Sequence, residues 1–206
     1  GQVCLAGTRL LVHRAVHDEF AGRLRSAIAA IRQGDPRDPG TQVGPLIHPK
    51  HLARVEGYVS RAVAAGARVV CGGRVSPALG GLYYEPTLLA DVPDGAEILR
   101  EEVFGPVLTL QAVADDAEAI ARANDTAYGL AGIVFTRDQA RGDRIAEALV
   151  AGTVWVNCFF VRDLSAPFGG ARQSGIGREG GHWSFDFYCD VKNIVHRKGT
   201  FAAARG

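Results

Sequence analysis

Short apolar runs alternate with amphipathic stripes along most of this chain, and that alternation limits the fold more than any other feature. Leu10 to His13 reads as a strand. Val16, Phe20, Leu24, Ile28 and Ile31 then recur every three to four residues, which puts them on one helix face. Gly34 and Pro36 punctuate its end. A polar connection holding Pro36, Pro39 and Pro45 leads to Pro49, which opens a second helix with Leu52, Val55, Val59 and Val63 on one stripe and Gly66 as its stop. Val69 to Cys71 is a short strand, and Ser76 to Gly81 make a turn that returns through Tyr83 and Tyr84.

The pattern continues downstream. Val107 to Val113 reads as a strand. Asp115 with Glu118 marks a helix start, with the helix running to Ala123. Leu130 to Phe135 is a strand, Thr136 with Gln139 forms a second capping box, and the helix it opens ends before Gly152. Gly142 inside that helix costs about 1 kcal/mol against Ala. Val154 to Val156 is a strand, Asn157 to Gly181 is irregular, and Lys192 to His196 reads as a last strand. The tail past Lys198 is small and expected to be mobile. Strands alternating with helices imply an α/β fold with a largely parallel sheet flanked by helices.

Charge and cysteine usage remove several function classes. With 23 basic and 22 acidic residues and no long run of either sign, nothing marks a nucleic-acid partner or a membrane surface. No apolar stretch reaches the length of a membrane span. Cys4, Cys71, Cys158 and Cys189 are far apart, with no His at zinc spacing, so no metal is expected. Free thiols in a reducing, cytoplasmic compartment fit this pattern. The chain has no Met and begins with Gly1, and is expected to be part of a longer protein. Gly175-Ile176-Gly177-Arg178-Glu179-Gly180 matches G-x-G-x-x-G but follows a loop, and no amphipathic helix is expected after it. It reads as a glycine-rich loop where backbones pass closely.

Cys4 lies in Gly1-Gln2-Val3-Cys4, just before Ala6-Gly7 and the strand at Leu10. A bend there would turn its sulfur and backbone N–H toward a cleft, although a small hydrophobe filling a gap is what most free cysteines are.

The loops carry a resemblance. Gly1-Gln2-Val3-Cys4, Glu102-Val103-Phe104-Gly105-Pro106, Asn124 with Tyr128-Gly129-Leu130, Gly152 to Asn157, and Pro167-Phe168-Gly169-Gly170 occur in this order at these spacings. Together they resemble the C-terminal part of an NAD(P)-dependent aldehyde dehydrogenase. Asn157-Cys158-Phe159-Phe160-Val161-Arg162-Asp163-Leu164 further resembles the branch acting on muconic semialdehydes. The resemblance implies a catalytic domain over residues 1–189, an oligomerisation strand and tail over 190–206, and a homo-oligomer. It implies oxidation of an aldehyde to the acid with NAD or NADP. By the same resemblance Cys4 is the nucleophile, Glu102 accepts hydrogen bonds from the nicotinamide ribose, Phe104 packs beside the nicotinamide, and the family's general base and oxyanion asparagine lie upstream of this chain.

The chemistry asks for such residues. A thiolate attacks the aldehyde carbon, and a thioester is later cleaved by activated water. A cysteine thiol titrates near ~8.5, so its site must favour the thiolate. The Cys4 N–H is a candidate oxyanion donor. Glu102 also reads as a solvated loop acid beside Glu101. Asp190 stands where many family members carry Glu, and either a proton relay or a pairing with Lys192 fits it. Arg162 is a candidate for holding a substrate carboxylate, or for tying down its own loop. Two other readings remain: a non-catalytic truncated domain that only oligomerises, and a thiol-dependent esterase.

Overall fold

The computed structural model describes residues 1–199. A four-stranded sheet is built from β1 (Arg9–His13), β2 (Arg68–Cys71), β3 (Thr87–Ala90) and β4 (Val107–Val113), in the order β1-β4-β3-β2. β4 runs parallel to both β1 and β3, and only β2 is antiparallel, with an irregularity between Val69 and Cys71. A second, two-stranded parallel sheet pairs β5 (Ala131–Val134) with β6 (Thr153–Val156). Mixed α/β architecture with a parallel-dominated sheet agrees with the sequence pattern.

β3 is the strand that periodicity does not reveal. Thr87, Leu88, Leu89 and Ala90 are all buried, so the run has no polar alternation and is too short to stand out. Its two leucines serve opposite faces of the sheet. Leu88 packs with Leu110 and with Ile28 of α1 (His17–Ala29). Leu89 joins Val103, Val107 and the Val55, Tyr58 and Val59 side chains of α2 (Pro49–Ala64).

α2 follows its sequence signals closely. His48 Nδ1 accepts the Lys50 N–H at 3.1 Å, Pro49 opens the helix, and Gly66 takes a φ of 114° just beyond its end. α1 departs from them. It ends at Ala29, ahead of Ile31, and Gly34 is not in the left-handed region. Only the C-terminal half of its stripe is covered: Ile28 is buried, whereas Val16 and Phe20 are exposed.

α3 (Asp116–Asn124) is capped by Asp115, which accepts the Glu118 N–H at 2.9 Å, while Glu118 reaches back to the Ala114 N–H at 2.7 Å. For α4 (Gln139–Ala148) the cap is Asp138, accepting the Arg141 N–H at 3.0 Å; the expected Thr136 instead accepts the Asp138 N–H at 3.2 Å. Gly142 has a packing reason. A Cβ there would lie 2.7 Å from Val156 Cγ1, so the glycine lets α4 close on β6. A short helix, α5 (Trp183–Tyr188), follows the glycine-rich loop, where none was expected. Its aromatic residues are weak helix formers, and it carries no side-chain cap.

Lys192 to His196 does not form the expected strand. A strand needs a hydrogen-bonding neighbour, and none of the described residues supplies one there; Val191, Ile194 and Val195 are exposed. Of the expected tail, residues 200–206 lie outside the described residues. No helix among the described residues is long and apolar enough to cross a membrane.

Candidate active site

Cys4 sits on a turn. The Val3 carbonyl accepts the Ala6 N–H at 2.9 Å, so Cys4 is the second residue of a four-residue reversal. Leu5 anchors that turn, buried to 4% exposure, and Cys4 next to it is exposed. Neither the Cys4 N–H nor its sulfur has a hydrogen-bond partner among the described residues. All four cysteines are free, and burial pushes the Cys71 thiol up from its usual range.

Two contacts hold the segment before the turn. Gln2 Oε1 accepts the Ile47 N–H at 3.0 Å, next to the entry of α2. Gly1 lies against the backbone of Gly105 and Pro106, where any Cβ would overlap the Gly105 carbonyl. The first and second resemblance blocks, about a hundred residues apart in the chain, therefore touch.

The second block, Glu102 to Pro106, belongs to neither a helix nor a strand. Val103 is buried in the α2 core, and Phe104, half-buried, takes a φ of 58°. His51 Nε2 donates to the Phe104 carbonyl at 2.6 Å, and Arg54 Nη2 donates to the Glu102 carbonyl at 2.8 Å. Glu102 is exposed, and its carboxylate makes no hydrogen bond among the described residues. The Tyr128 hydroxyl donates to Glu101 at 3.2 Å, and burial, then Glu101 and Glu102, raise its pKa. Sequence reasoning singles out neither His51 nor Arg54; their only signal is their three-residue spacing beside the Val55 stripe.

The remaining blocks converge separately. Asn124 bridges the end of α4, donating to the Ala148 carbonyl and accepting the Val150 N–H. The Gly129 carbonyl accepts N–H groups from Gly152 and Ala171 at 3.0 and 2.7 Å, and Gly152 leaves no room for a Cβ against the Gly169 carbonyl. Asn157, at a φ of 56°, accepts the Thr136 N–H at 2.9 Å, which is a structural role.

After β6 the chain folds back. Trp155 Nε1 donates to the Val161 carbonyl at 2.8 Å; Trp155 and Phe159 meet edge to face at 5.6 Å between ring centres, and Phe160 lies tilted against Phe159 at 5.7 Å. Arg162 is exposed and lies over the Phe168 ring, 4.7 Å from its centre. Asp163 is not its partner. Asp163 accepts from the Ser165 hydroxyl and N–H at 2.7 and 2.9 Å, and these bonds hold its carboxyl below the usual range. Among the described residues Arg162 thus has no hydrogen-bond partner. Asp190 is exposed and forms no ion pair with Lys192.

At the level of class, this is an α/β domain that presents a thiol on a turn leading into a parallel sheet. The family follows from comparison. Residues 1–194 match the aldehyde dehydrogenase family, and the chain belongs to it. Betaine aldehyde dehydrogenase of Cereibacter sphaeroides is 45% identical over 196 residues, covering 94% of this chain and 40% of that protein. 2-Aminomuconic semialdehyde dehydrogenase of Danio rerio is 42% identical over 201 residues, covering 95% and 41%. A crystal structure of a betaine aldehyde dehydrogenase double mutant from Staphylococcus aureus, in complex with NAD+, superimposes with a TM-score of 0.93 at 39% identity, covering 98% of this chain and 41% of that one. The chain therefore spans less than half the length of these relatives.

Proposed function

We propose that this chain is the catalytic part of a longer NAD(P)-dependent aldehyde dehydrogenase. The observation that carries the reading is the Cys4 turn: an exposed cysteine whose N–H has no partner among the described residues, in a segment whose Gly1 packs against Gly105 and Pro106 of the Glu102 loop. In this reading the Cys4 sulfur bonds to the aldehyde carbon, and the Cys4 N–H stabilises the oxygen as it becomes negative. NAD(P), when bound, accepts the hydride that leaves that carbon. Water then cleaves the thioester, releasing the acid and restoring the thiol, with a general base expected upstream of Gly1. The residues present suit such a cofactor. The unpartnered Glu102 carboxylate offers two acceptor oxygens to a ribose diol, and Phe104 offers a half-buried aromatic face.

For substrate class the reading is a carboxylated semialdehyde. Arg162 is an exposed guanidinium without a carboxylate partner among the described residues, on the loop that follows β6. Its planar fork suits a carboxylate through two parallel hydrogen bonds. The exposed rings of Phe159 and Phe160 favour a second reading, a quaternary ammonium aldehyde such as betaine aldehyde, since aromatic faces attract such cations. A nearby guanidinium opposes that reading.

The protein is also proposed to be a cytoplasmic homo-oligomer, with residues 190–206 pairing with the sheet of a partner subunit. In the full-length enzyme, Cys4→Ala should abolish turnover while Cys71→Ala, Cys158→Ala and Cys189→Ala each retain most of it. Arg162→Ala should lower kcat/KM for a carboxylated semialdehyde by about 2–3 kcal/mol, and for betaine aldehyde far less. Full activity in the Cys4 variant would remove the reading. Equal losses on both substrates would reduce Arg162 to a loop support. The isolated 206-residue chain should reduce no NAD, because by the family resemblance both the general base and the cofactor domain lie outside it; loss of a base alone costs about 10²–10⁴-fold, and loss of the cofactor site removes the hydride acceptor.

A further inference from the structure

We propose that the Asp94–Gly95 bond is the site of isoaspartate formation in this chain, and that the Arg122 guanidinium restrains the reaction by holding the Asp94 carboxylate. The modification is spontaneous, needs only water, and does not depend on the function proposed above.

An aspartate followed by glycine is the reactive pair, because no Cβ on the second residue hinders its nitrogen. Asp94-Gly95 is the only Asp-Gly in the sequence, and no Asn precedes a Gly. The Pro93 carbonyl accepts the Ala96 N–H at 2.9 Å, so the pair fills the two central positions of a reverse turn. Both residues are exposed, and a Cβ built on Gly95 would meet nothing within 4 Å. The Gly95 N–H has no hydrogen-bond partner among the described residues. In the reaction the Gly95 nitrogen bonds to Asp94 Cγ of the neutral carboxyl. One carboxyl oxygen leaves as water, taking the acid proton and the nitrogen's proton, and a cyclic imide remains. Water then opens the ring. Attack at Cγ restores aspartate. Attack at the Asp94 backbone carbonyl carbon leaves the chain running through Cγ, which is isoaspartate.

Arg122 opposes the first step. Its Nη1 donates to Asp94 Oδ1 at 2.6 Å, and its Nη2 lies 3.5 Å from Oδ2, which keeps the carboxylate charged and turned toward α3. Those hydrogen bonds, then the Arg122 charge and more weakly that of Arg100, hold the Asp94 carboxyl below its ordinary range against a smaller effect of burial. A carboxylate resists attack by nitrogen; only the neutral carboxyl releases water. Arg122 is itself fixed, since its Nε donates to Glu118 at 2.9 Å. His17, Asp91, Arg9, Arg100, Glu118 and Asp125 also line the clefts beside Asp94, and none of them hydrogen-bonds its carboxylate. The lesion would fall at a joint. The Asp94 carbonyl accepts from Arg100 Nη1 at 2.8 Å, and Arg100 leads into the Glu102 loop. Isomerisation adds one carbon to the main chain there and displaces both the Arg100 and the Arg122 contacts.

The test ages the full-length protein at mildly acidic pH. Isoaspartate is labelled with an isoaspartyl methyltransferase and a radioactive methyl donor and located by peptide mapping. An endoproteinase that cleaves before aspartate but not before isoaspartate reads the same bond independently. Wild type should gain label slowly, and at Asp94 ahead of every other aspartate. Arg122→Met removes the charge and should raise the rate at Asp94 by about threefold or more, while Arg122→Lys keeps a cation and should stay within about twofold of wild type. Gly95→Ala has room for its Cβ and should lose most of the label, and it decides the matter even if Arg122→Met does not fold. The inference fails if wild type labels another aspartate first, or if Asp94 stays unlabelled in both wild type and Arg122→Met. It fails equally if Gly95→Ala labels as fast as wild type. An unchanged rate in Arg122→Met, or a rise shared by all aspartates as in a loosened fold, would overturn the role of Arg122.

Discussion

Residues 46–113 and residues 157–199 both carry many large apolar side chains, and the two stretches treat them in opposite ways. In the first, Val55, Leu88 and Leu89 are completely buried. In the second, Leu164 is 81% exposed, Ile176 84% and Val191 95%. The first stretch is covered on both sides within this chain: its own α2 covers one face of β3, and α1, from earlier in the chain, reaches the other. The second stretch has β6 behind it but no layer in front. A large apolar surface left open marks a place meant for contact with something else. Local sequence therefore sets which residues are apolar, and the partner available decides whether they become core.

The comparison is broken most directly by stability. Leu89→Ala should destabilise the chain by about 2–5 kcal/mol in urea unfolding, because it leaves a cavity between β3 and α2. Val191→Ala should stay within about 0.5 kcal/mol, since nothing covers it. Similar losses in the two variants would mean that residues 157–199 are packed in solution. Gly152→Ala acts at the join. Its Cβ meets the Gly169 backbone, so a loss of about 1–3 kcal/mol is expected, with faster amide exchange at Phe168 and Glu179, which pair there.

Replacing Val191, Ile194 and Val195 together by Ser should lower self-association in light scattering and leave the unfolding midpoint nearly unchanged. A monodisperse wild-type monomer at high concentration would contradict the open-surface reading.

The smallest effect belongs to the stretch between the two regions. Arg141 hydrogen-bonds Asp116, joins α4 to α3 and holds the Asp116 carboxyl below its ordinary range. A depressed carboxyl stabilises the fold above its unfolded pKa, near 4, and that contribution is lost as the pH falls through the folded value. The pair is more than a third exposed, so the effect is at most about 1 kcal/mol. Asp116→Asn should flatten the acid limb of the stability curve by that amount.

What the sequence makes legible divides along the same line. Where elements pack on one face, period and caps report them: α2 and α3 fall where Pro49, Gly66 and Asp115 place them. Where burial is two-sided the period vanishes, and β3 is invisible for that reason. Where burial depends on another surface the period misleads, as at Lys192 to His196, whose strand-like composition finds no ladder within this chain. The site behaves likewise. The blocks that hold Cys4, Glu102, Phe104 and Arg162 are readable as blocks, but the contact of Gly1 with Gly105 and the grip of His51 on Phe104 are tertiary facts with no local signature.

The register of β1 against β4 has a consequence in time. Leu10 pairs with Leu110, so the strand that follows Cys4 has its neighbour about a hundred residues downstream. On a ribosome adding about 5–20 residues per second, that neighbour emerges roughly 5–20 s after β1 does. β2 and β3 are separated by a far shorter connection and can pair first. The Cys4 end of the chain therefore docks late, after the middle of the sheet exists to receive it, and its thiol spends those seconds outside the fold.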